Sequence, residues 1–308
     1  MNKLVVVGSL NMDMVSGVKR FPLPGETVAS SGTVFVPGGK GANQAVAAAR
    51  AGAECAMVGA VGLDPFGETL ATSLADCGVD VSSVIRKEGS SGIAFISVNE
   101  DGENTIVLSA GANGELTAAD AATALQGEGV YAVLLQNEIP WDTTLSVLHQ
   151  AKAAGVRSFL NPAPARELPD HIFPLLDTLI VNETEASVVA GMEVNSADSA
   201  SKAADWMLGK GADNVIVTLG EQGCFYASSQ GDRMFVPAFP IKPTDTTAAG
   251  DTFIGAYAGV LAEGTGAKDA LVFASAAAAI AVTRAGAQSS IPSRAEIDAF
   301  LTERGKGE

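Results

Sequence analysis

Cysteine, histidine and positive charge are scarce in this 308-residue chain, and each shortage argues against a class of function. The three cysteines, Cys55, Cys77 and Cys224, lie far apart with no C-x-x-C spacing. They read as free thiols in a reducing compartment, not as a disulfide framework. Only two histidines occur, His149 on a predicted helix and His171 beside prolines. Neither has a Ser, Cys or metal-ligand companion at useful spacing, so a histidine triad and a His-rich zinc site are both disfavoured. Any general base here is expected to be a carboxylate. Lys and Arg total 19 against 35 Asp and Glu, a net charge of -16, and no basic run appears. That argues against nucleic acid and anionic membrane as partners. No apolar run is long enough to span a bilayer: residues 4–7 are too few for a signal peptide, and the Ala-rich stretch 274–282 is also too short. The cytoplasm is the expected location. There is no internal repeat and no low-complexity linker.

Hydrophobic residues make up 47% of the chain, with abundant Ala, Val and Gly. This fits helices packed on a buried sheet, and an α/β domain of this size folds as one unit. Strands are predicted over 4–8, 55–59, 131–136, 156–160, 178–181, 214–219 and 224–227. Helices are predicted over 45–50, 66–76, 142–154, 183–190, 199–209, 251–262, 268–284 and 295–303, and the tail 305–308 is expected to fray. Strands alternating with helices predict a mainly parallel sheet covered on both faces. Short β-like pieces at 14–18, 27–30 and 33–36 and a hairpin over 93–98 and 105–108, turning at Asp101-Gly102, interrupt that rhythm. They are expected to form a small sheet over the domain, a lid drawn from the separate segments 14–37 and 90–110.

The stretch most able to carry chemistry is Thr244-Asp245-Thr246-Thr247-Ala248-Ala249-Gly250-Asp251-Thr252-Phe253. Pro240 and Pro243 stop regular structure before it, and apolar residues at Phe253, Ala256, Tyr257, Val260 and Leu261 mark a helix after it. Gly255 and Gly259 give that helix a smooth side. The small residues Ala248, Ala249 and Gly250 leave the first N–H groups uncovered, a place for an anion. Asp251 lies in the same turn. It is either a favourable charge at a helix N-terminus or a proton acceptor beside a developing phosphate charge. The helix N-terminus is expected to lower its pKa.

Asp245-Thr-Thr-Ala-Ala-Gly-Asp251 closely resembles the signature near the C-terminus of ribokinase-like sugar kinases. The resemblance runs from Gly8-Ser9 to Gln288, and Asn161-Pro-Ala-Pro-Ala-Arg166 strengthens it. It implies a three-layer Rossmann-like α/β fold, with Asp251 as catalytic base and Ala248, Ala249, Gly250 and Asp251 forming the anion hole.

Gly38-Gly39-Lys40-Gly41-Ala42-Asn43 fits neither a P-loop nor a dinucleotide fingerprint. Alone it is an ordinary turn at a helix start. The resemblance makes Gly39, Lys40, Gly41, Ala42 and Asn43 sugar contacts, with Asn11, Met12 and Asp13. Asp suits a pair of neighbouring hydroxyls, because a carboxylate accepts from both. Glu138 is either an exposed loop residue or a further substrate carboxylate. Asn182 and Glu185 form an ordinary capping pair; the resemblance places them near the nucleotide phosphates and Mg²⁺. Thr218-Leu219-Gly220-Glu221-Gln222-Gly223 is a tight turn similar to the family's nucleotide-binding turn. Ser275 falls where many members carry His or Asn against the adenine, which leaves the base contact open. The segment 284–290 is either a helix C-terminus capped by Gly286 or part of a K⁺ site. The resemblance would form that site from Asp245, Thr247, Ala281, Arg284, Gly286 and Ser290.

The implied activity is transfer of phosphate from ATP to the 5-hydroxyl of D-ribose, with Mg²⁺ and K⁺. Rivals are a kinase of deoxyribose, fructose or adenosine, a non-catalytic sugar-binding regulator, and a Rossmann dehydrogenase, the last opposed by the missing glycine fingerprint. A homodimer through the lid is expected from Phe35, Phe95 and Ile106 in alternating patterns.

Overall fold

The computed structural model describes residues 2–122, 125 and 129–305; residues 306–308, most of the expected tail, lie outside the described residues. The chain opens with β1 (Lys3–Val7), β2 (Asn11–Val18), β3 (Ser30–Gly38), α1 (Lys40–Arg50), β4 (Cys55–Gly62) and α2 (Pro65–Asp76). Next come β5 (Asp80–Lys87), β6 (Gly92–Val98), β7 (Asn104–Ser109), the short α3 (Ala118–Ala121), β8 (Val130–Leu135), α4 (Trp141–Ala154) and β9 (Arg157–Leu160). Then follow β10 (Thr178–Asn182), α5 (Glu183–Ala190), α6 (Ala197–Gly209), β11 (Asn214–Thr218), β12 (Gly223–Ser228) and β13 (Arg233–Pro237). The last three helices are α7 (Ala249–Ala262), α8 (Ala267–Ala281) and α9 (Arg294–Gly305).

Among the described residues the large sheet has the order β13-β12-β11-β10-β9-β8-β1-β4-β5. β5, β4, β1, β8, β9, β10 and β11 are parallel throughout. Alternation along β1 feeds both sides of the sheet. Leu4 and Val6 join the core beneath α1, α7 and α8, while Val5 and Val7 join the core beneath α4, α5 and α6. A sheet buried on both faces needs such continuous apolar runs. Because the strands are parallel, the residues after β1, β8, β9, β10 and β11 all emerge at one edge, where α/β sheets bind ligands.

The architecture is the mainly parallel, helix-covered sheet with a small separate sheet that the sequence implies. Local details depart from the sequence reading. β5 and β13 were not anticipated. Residues 27–29 are not a strand. β12 runs antiparallel to β11, and β13 antiparallel to β12, at the edge of the sheet. The link from β11 to β12 is one short 3₁₀ turn, Gly220–Gln222, and a parallel strand needs a crossover of a dozen or more residues.

The small sheet has the order β3-β2-β6-β7. β2 begins at Asn11, so Asn11, Met12 and Asp13 stand on this sheet and not on a loop after β1. Register puts Phe35, Met14, Phe95 and Val107 in one cross-strand row and Val34, Val15, Ile96 and Ile106 in the next. Neighbouring rows point to opposite faces. Phe35 and Phe95 therefore share a face that Ile106 does not, and large apolar side chains are exposed on both.

Candidate active site

Helices α1 and α7 cross in close contact because α7 has no side chain at Gly255. A Cβ there would strike the carbonyl oxygen of Gln44 and lie 2.6 Å from Cβ of Ala47. This approach brings the start of α1 against the first turn of α7. Asn43 Nδ2 donates to Asp251 Oδ2 and Gln44 Nε2 donates to Asp251 Oδ1, both at 3.0 Å. Asp251 is only 8% exposed. Burial pushes its carboxyl pKa up, against the nearby Lys40 and the two amides that hold it down. The expected lowering by the helix N-terminus is thus reversed: desolvation disfavours the charged form more strongly than its neighbours favour it.

The turn ahead of α7 leaves main-chain N–H groups open. Ala248 has φ 57°, the sole non-glycine residue in the left-handed region among those described. Such a conformation persists where the surroundings impose it, and it clusters at functional sites. The N–H groups of Gly250 and Asp251 have no acceptor among the described residues. The Ala249 N–H is donated to Thr246 O at 3.3 Å, so it joins an anion hole only by leaving that bond. Asp245 fastens the turn from behind. Its Oδ1 accepts from Thr247 N and its Oδ2 from Gly286 N, both at 2.9 Å. The N–H groups of Thr244 and Asp245 donate to Val282 O just past α8. Thr247 and Gly286 are therefore brought to Asp245. The Ala281 carbonyl accepts from Arg284 N, the Arg284 side chain turns to Glu296, and buried Ser290 donates to Ala287 O. Each oxygen of Asp245 keeps a lone pair after accepting one N–H, so this carboxylate fits a weakly bound monovalent cation.

On the other side of Asp251, Glu138 Oε2 accepts from Ser9 Oγ at 2.6 Å, Lys40 N at 3.2 Å and Asn11 Nδ2 at 3.4 Å. One carboxylate thus ties the end of β1 to β2 and to the start of α1. Asn113 holds Asn11 in turn: its Nδ2 donates to Asn11 Oδ1 at 2.8 Å, and its Oδ1 accepts from Leu10 N. Asp13 accepts no protein hydrogen bond among the described residues. Burial, with Glu138 and Asp251 nearby, raises its pKa to about 7, while Lys40 opposes the shift. Lys40 itself is desolvated, yet Asp251, Glu138, Glu185 and Asp13 together hold its pKa above the ordinary lysine value. Asn43 Oδ1 is buried without a donor. Acceptors that lack donors, around one ammonium, suit a neutral ligand rich in hydroxyls.

A cavity of about 200 Å³ opens from Asp251 in the other direction. Lys40, Asn161, Asn182, Glu185, Thr218 and residues 248–251 are among those lining it. Asn182 and Glu185 form a complete capping box on α5. Glu185 also accepts from Asn161 Nδ2 at 2.9 Å. With both oxygens already bonded to N–H groups, Glu185 fits a water-clad Mg²⁺ carried by nucleotide phosphates better than direct ligation.

The predicted residues are not all brought together. Met12, Ala42 and Leu219 have side chains buried in the apolar cores, so only their backbones are available to a ligand. Gly220, Glu221, Gln222 and Gly223 form the turn into β12, beyond this cavity. Ser275 lies beside the Cys224 thiol at the start of β12. Sequence reasoning missed Ser9, Gln44, Asn113, Gln136 and Asn161. Gln136 and Asn161 directly follow β8 and β9, so their strand-end position was a usable signal. Asn113, in a 3₁₀ turn, gave none.

A model of pfkB family carbohydrate kinases matches residues 1–294. The chain is 42% identical over 303 residues to a ribokinase of Haemophilus influenzae, spanning 97% of this chain and 98% of that one. It is similar to the solved ribokinase of Thermotoga maritima, at TM-score 0.88 and 40% identity, covering 98% of this chain and 100% of the other. It is also similar to an Arabidopsis thaliana ribokinase complexed with ribose and ATP, at TM-score 0.90 and 33% identity, covering 98% and 99%. Whole-chain likeness in sequence and fold leads to one assignment: this chain belongs to the pfkB family of carbohydrate kinases.

Proposed function

We propose that this chain transfers the γ-phosphoryl group of ATP to O5 of D-ribose. The observation that carries the reading is the position of Asp251, whose carboxylate stands between a hydroxyl-accepting pocket and the open amides of the α7 turn. Asn11, Asp13, Lys40, Asn43 and Glu138, with the backbone of Met12 and of residues 39–42, bind the sugar. Asp251 takes the O5 proton as the new O–P bond forms and the bond to ADP breaks. The Gly250 and Asp251 amides, with those of Ala248 and Ala249, meet the charge on the transferring group. Asn182, Thr218 and the turn from Leu219 to Gly223 hold the nucleotide, with Ser275 toward its base. Mg²⁺, when bound, neutralises phosphate charge. Glu185 and Asn182 would hold it through water. K⁺ would be held by Asp245 and by oxygens of Thr247, Ala281, Arg284, Gly286 and Ser290, and would shape the turn without being consumed.

The test is ADP release with D-ribose, deoxyribose, fructose and adenosine, each in K⁺ and in Na⁺. D-ribose is expected to have the highest kcat/KM, and K⁺ to raise kcat. Higher kcat/KM on another acceptor would overturn the ribose assignment, and equal kcat in Na⁺ would remove K⁺.

The chain is further read as one unit, 1–308, with the small sheet as a lid that excludes water from the transfer. Phe35, Phe95 and Val107 on one face of that sheet, and Val34, Ile106 and Leu108 on the other, are exposed. A second copy packing its lid against one of these faces would cover that face. A monomeric mass by light scattering at micromolar concentration would count against it. No helix among the described residues is long and apolar enough to cross a membrane, and Cys55, Cys77 and Cys224 are unpaired. Both observations support a cytoplasmic location.

A further inference from the structure

Two buried amides stand behind Asp251 that the reaction above does not use. Gln44 is 0% exposed and Gln136 is 1% exposed, so neither reaches a bound sugar or nucleotide. Gln136 Nε2 donates to Gln44 Oε1 at 2.7 Å, and Gln44 Nε2 donates to Asp251 Oδ1 at 3.0 Å. An ionised carboxylate only accepts, so Gln44 must turn its NH₂ toward Asp251. Its carbonyl then faces Gln136, which must present its own NH₂. The line ends at Gln136 Oε1, buried without a donor. Gly8 closes the slot: a Cβ there would strike Gln136 Oε1 and lie 2.9 Å from Cα of Gly41. A buried carbonyl without a partner is rare in a folded protein, and this one results from fixing the other two orientations.

The two oxygens of Asp251 are therefore unlike. A proton on Oδ1 would oppose the Gln44 NH₂, and turning Gln44 over sets its NH₂ against that of Gln136 unless Gln136 turns as well, so Oδ1 requires two buried amides to turn where Oδ2 requires one. A proton on Oδ2 meets Asn43, whose own Oδ1 has no partner and can turn to accept it. We propose that Gln44, locked by Gln136, is a positioning residue for Asp251 that keeps Oδ1 an acceptor and directs the sugar proton to Oδ2. This rests on the reading of Asp251 as the base. Lys40 from α1, Asp13 from β2 and Glu185 from α5 act on the same carboxylate and remain in place when either glutamine is changed.

The experiment compares Gln44→Met and Gln136→Met with the parent in D-ribose-dependent ADP release from pH 5 to 9. Gln44→Met is expected to lower kcat about tenfold or more and leave KM for ribose within about twofold. Losing the donor to Oδ1 should also move the acid limb of kcat up by about one pH unit. Gln136→Met, which leaves Gln44 in place but free to turn, should shift the limb the same way by less. A purely structural role would lower thermal stability and leave the limb unmoved. Folded variants whose acid limbs stay within about 0.2 unit of the parent overturn the proposal. If Gln44→Met fails to fold, Gln136→Met decides alone. A parent that releases no sugar-dependent ADP overturns both this inference and the kinase reading, whereas an active parent with unmoved variants overturns this inference only.

Discussion

Asp13 lies folded over Gly38, with its Cγ 2.7 Å from where a Cβ on that glycine would stand. The two are two residues out of register on adjacent strands and so share a face, since Asp13 pairs with Val36 and Gly38 with Asn11. Gly38→Ala must therefore displace the Asp13 carboxylate from the pocket. The obstacle is the end of a side chain, so the fold should tolerate it. KM for ribose is expected to rise about tenfold, in line with one weakened hydrogen-bonding group, with kcat nearly unchanged. Steady-state kinetics on the variant check this; an unchanged KM would show that Asp13 makes no contact with the sugar.

The Asp13 pKa of about 7 gives a pH dependence of definite sign. A carboxyl raised above its unfolded value binds its proton more tightly when folded. Its stabilising contribution is present below about pH 4 and is lost as pH rises through about 7. Without ligand, Tm should fall between pH 5 and 8, less steeply in Asp13→Asn. Ribose hydroxyls donate to the ionised form, so ribose affinity should rise over pH 6 to 8 and binding near pH 7 should release protons. Calorimetry in buffers of different ionisation enthalpy measures that release, and none at pH 7 would contradict the assignment.

Gly255→Ala places a methyl against the Gln44 carbonyl and Ala47, both on α1 and unable to swing aside. Such overpacking costs about 1–3 kcal/mol. Thermal denaturation should show a Tm lower by several degrees. Because the displaced backbone carries Asn43 and Gln44, kcat should fall as well. An unchanged Tm would mean that the helices separate without cost.

Asp251→Asn removes the proton acceptor, and kcat should fall about 10²–10⁴-fold. The new NH₂ is expected at the Oδ2 position, where Asn43 can turn its unpartnered Oδ1 to accept from it, so stability should change by less than about 1 kcal/mol. Ribose binding by calorimetry should persist. A variant retaining more than about a tenth of parental kcat would exclude Asp251 as the base.

Much of the architecture was legible because it rests on local chemistry. Pro243 and the small run 248–250 mark the start of α7, Gly255 marks its contact with α1, and continuous apolar runs mark parallel buried strands. β5 was hidden because Asp80, Ser82, Ser83, Arg86 and Lys87 break its apolar alternation. The direction of β12 depends on a connection too short for a crossover, which only chain geometry enforces. Met12 faces the core because β2 starts at Asn11, three residues before the expected strand piece at 14–18. The Asp251 pKa was misjudged because a helix N-terminus is visible in sequence and burial is not. Gln44 and Gln136 were missed because neutral amides carry no charge signal, and their pairing joins residues 92 positions apart.

β1 is made early in synthesis yet lies seventh in the nine-stranded order. One neighbour, β4, starts at Cys55, but the other, β8, starts only at Val130. At a synthesis rate of about 5–20 residues per second, one flank of Leu4, Val5, Val6 and Val7 stays unpaired for on the order of ten seconds. A bare apolar strand edge is a template for pairing with another chain. The strand order thus sets an interval of exposure on the ribosome, and a translation pause before residue 130 lengthens it.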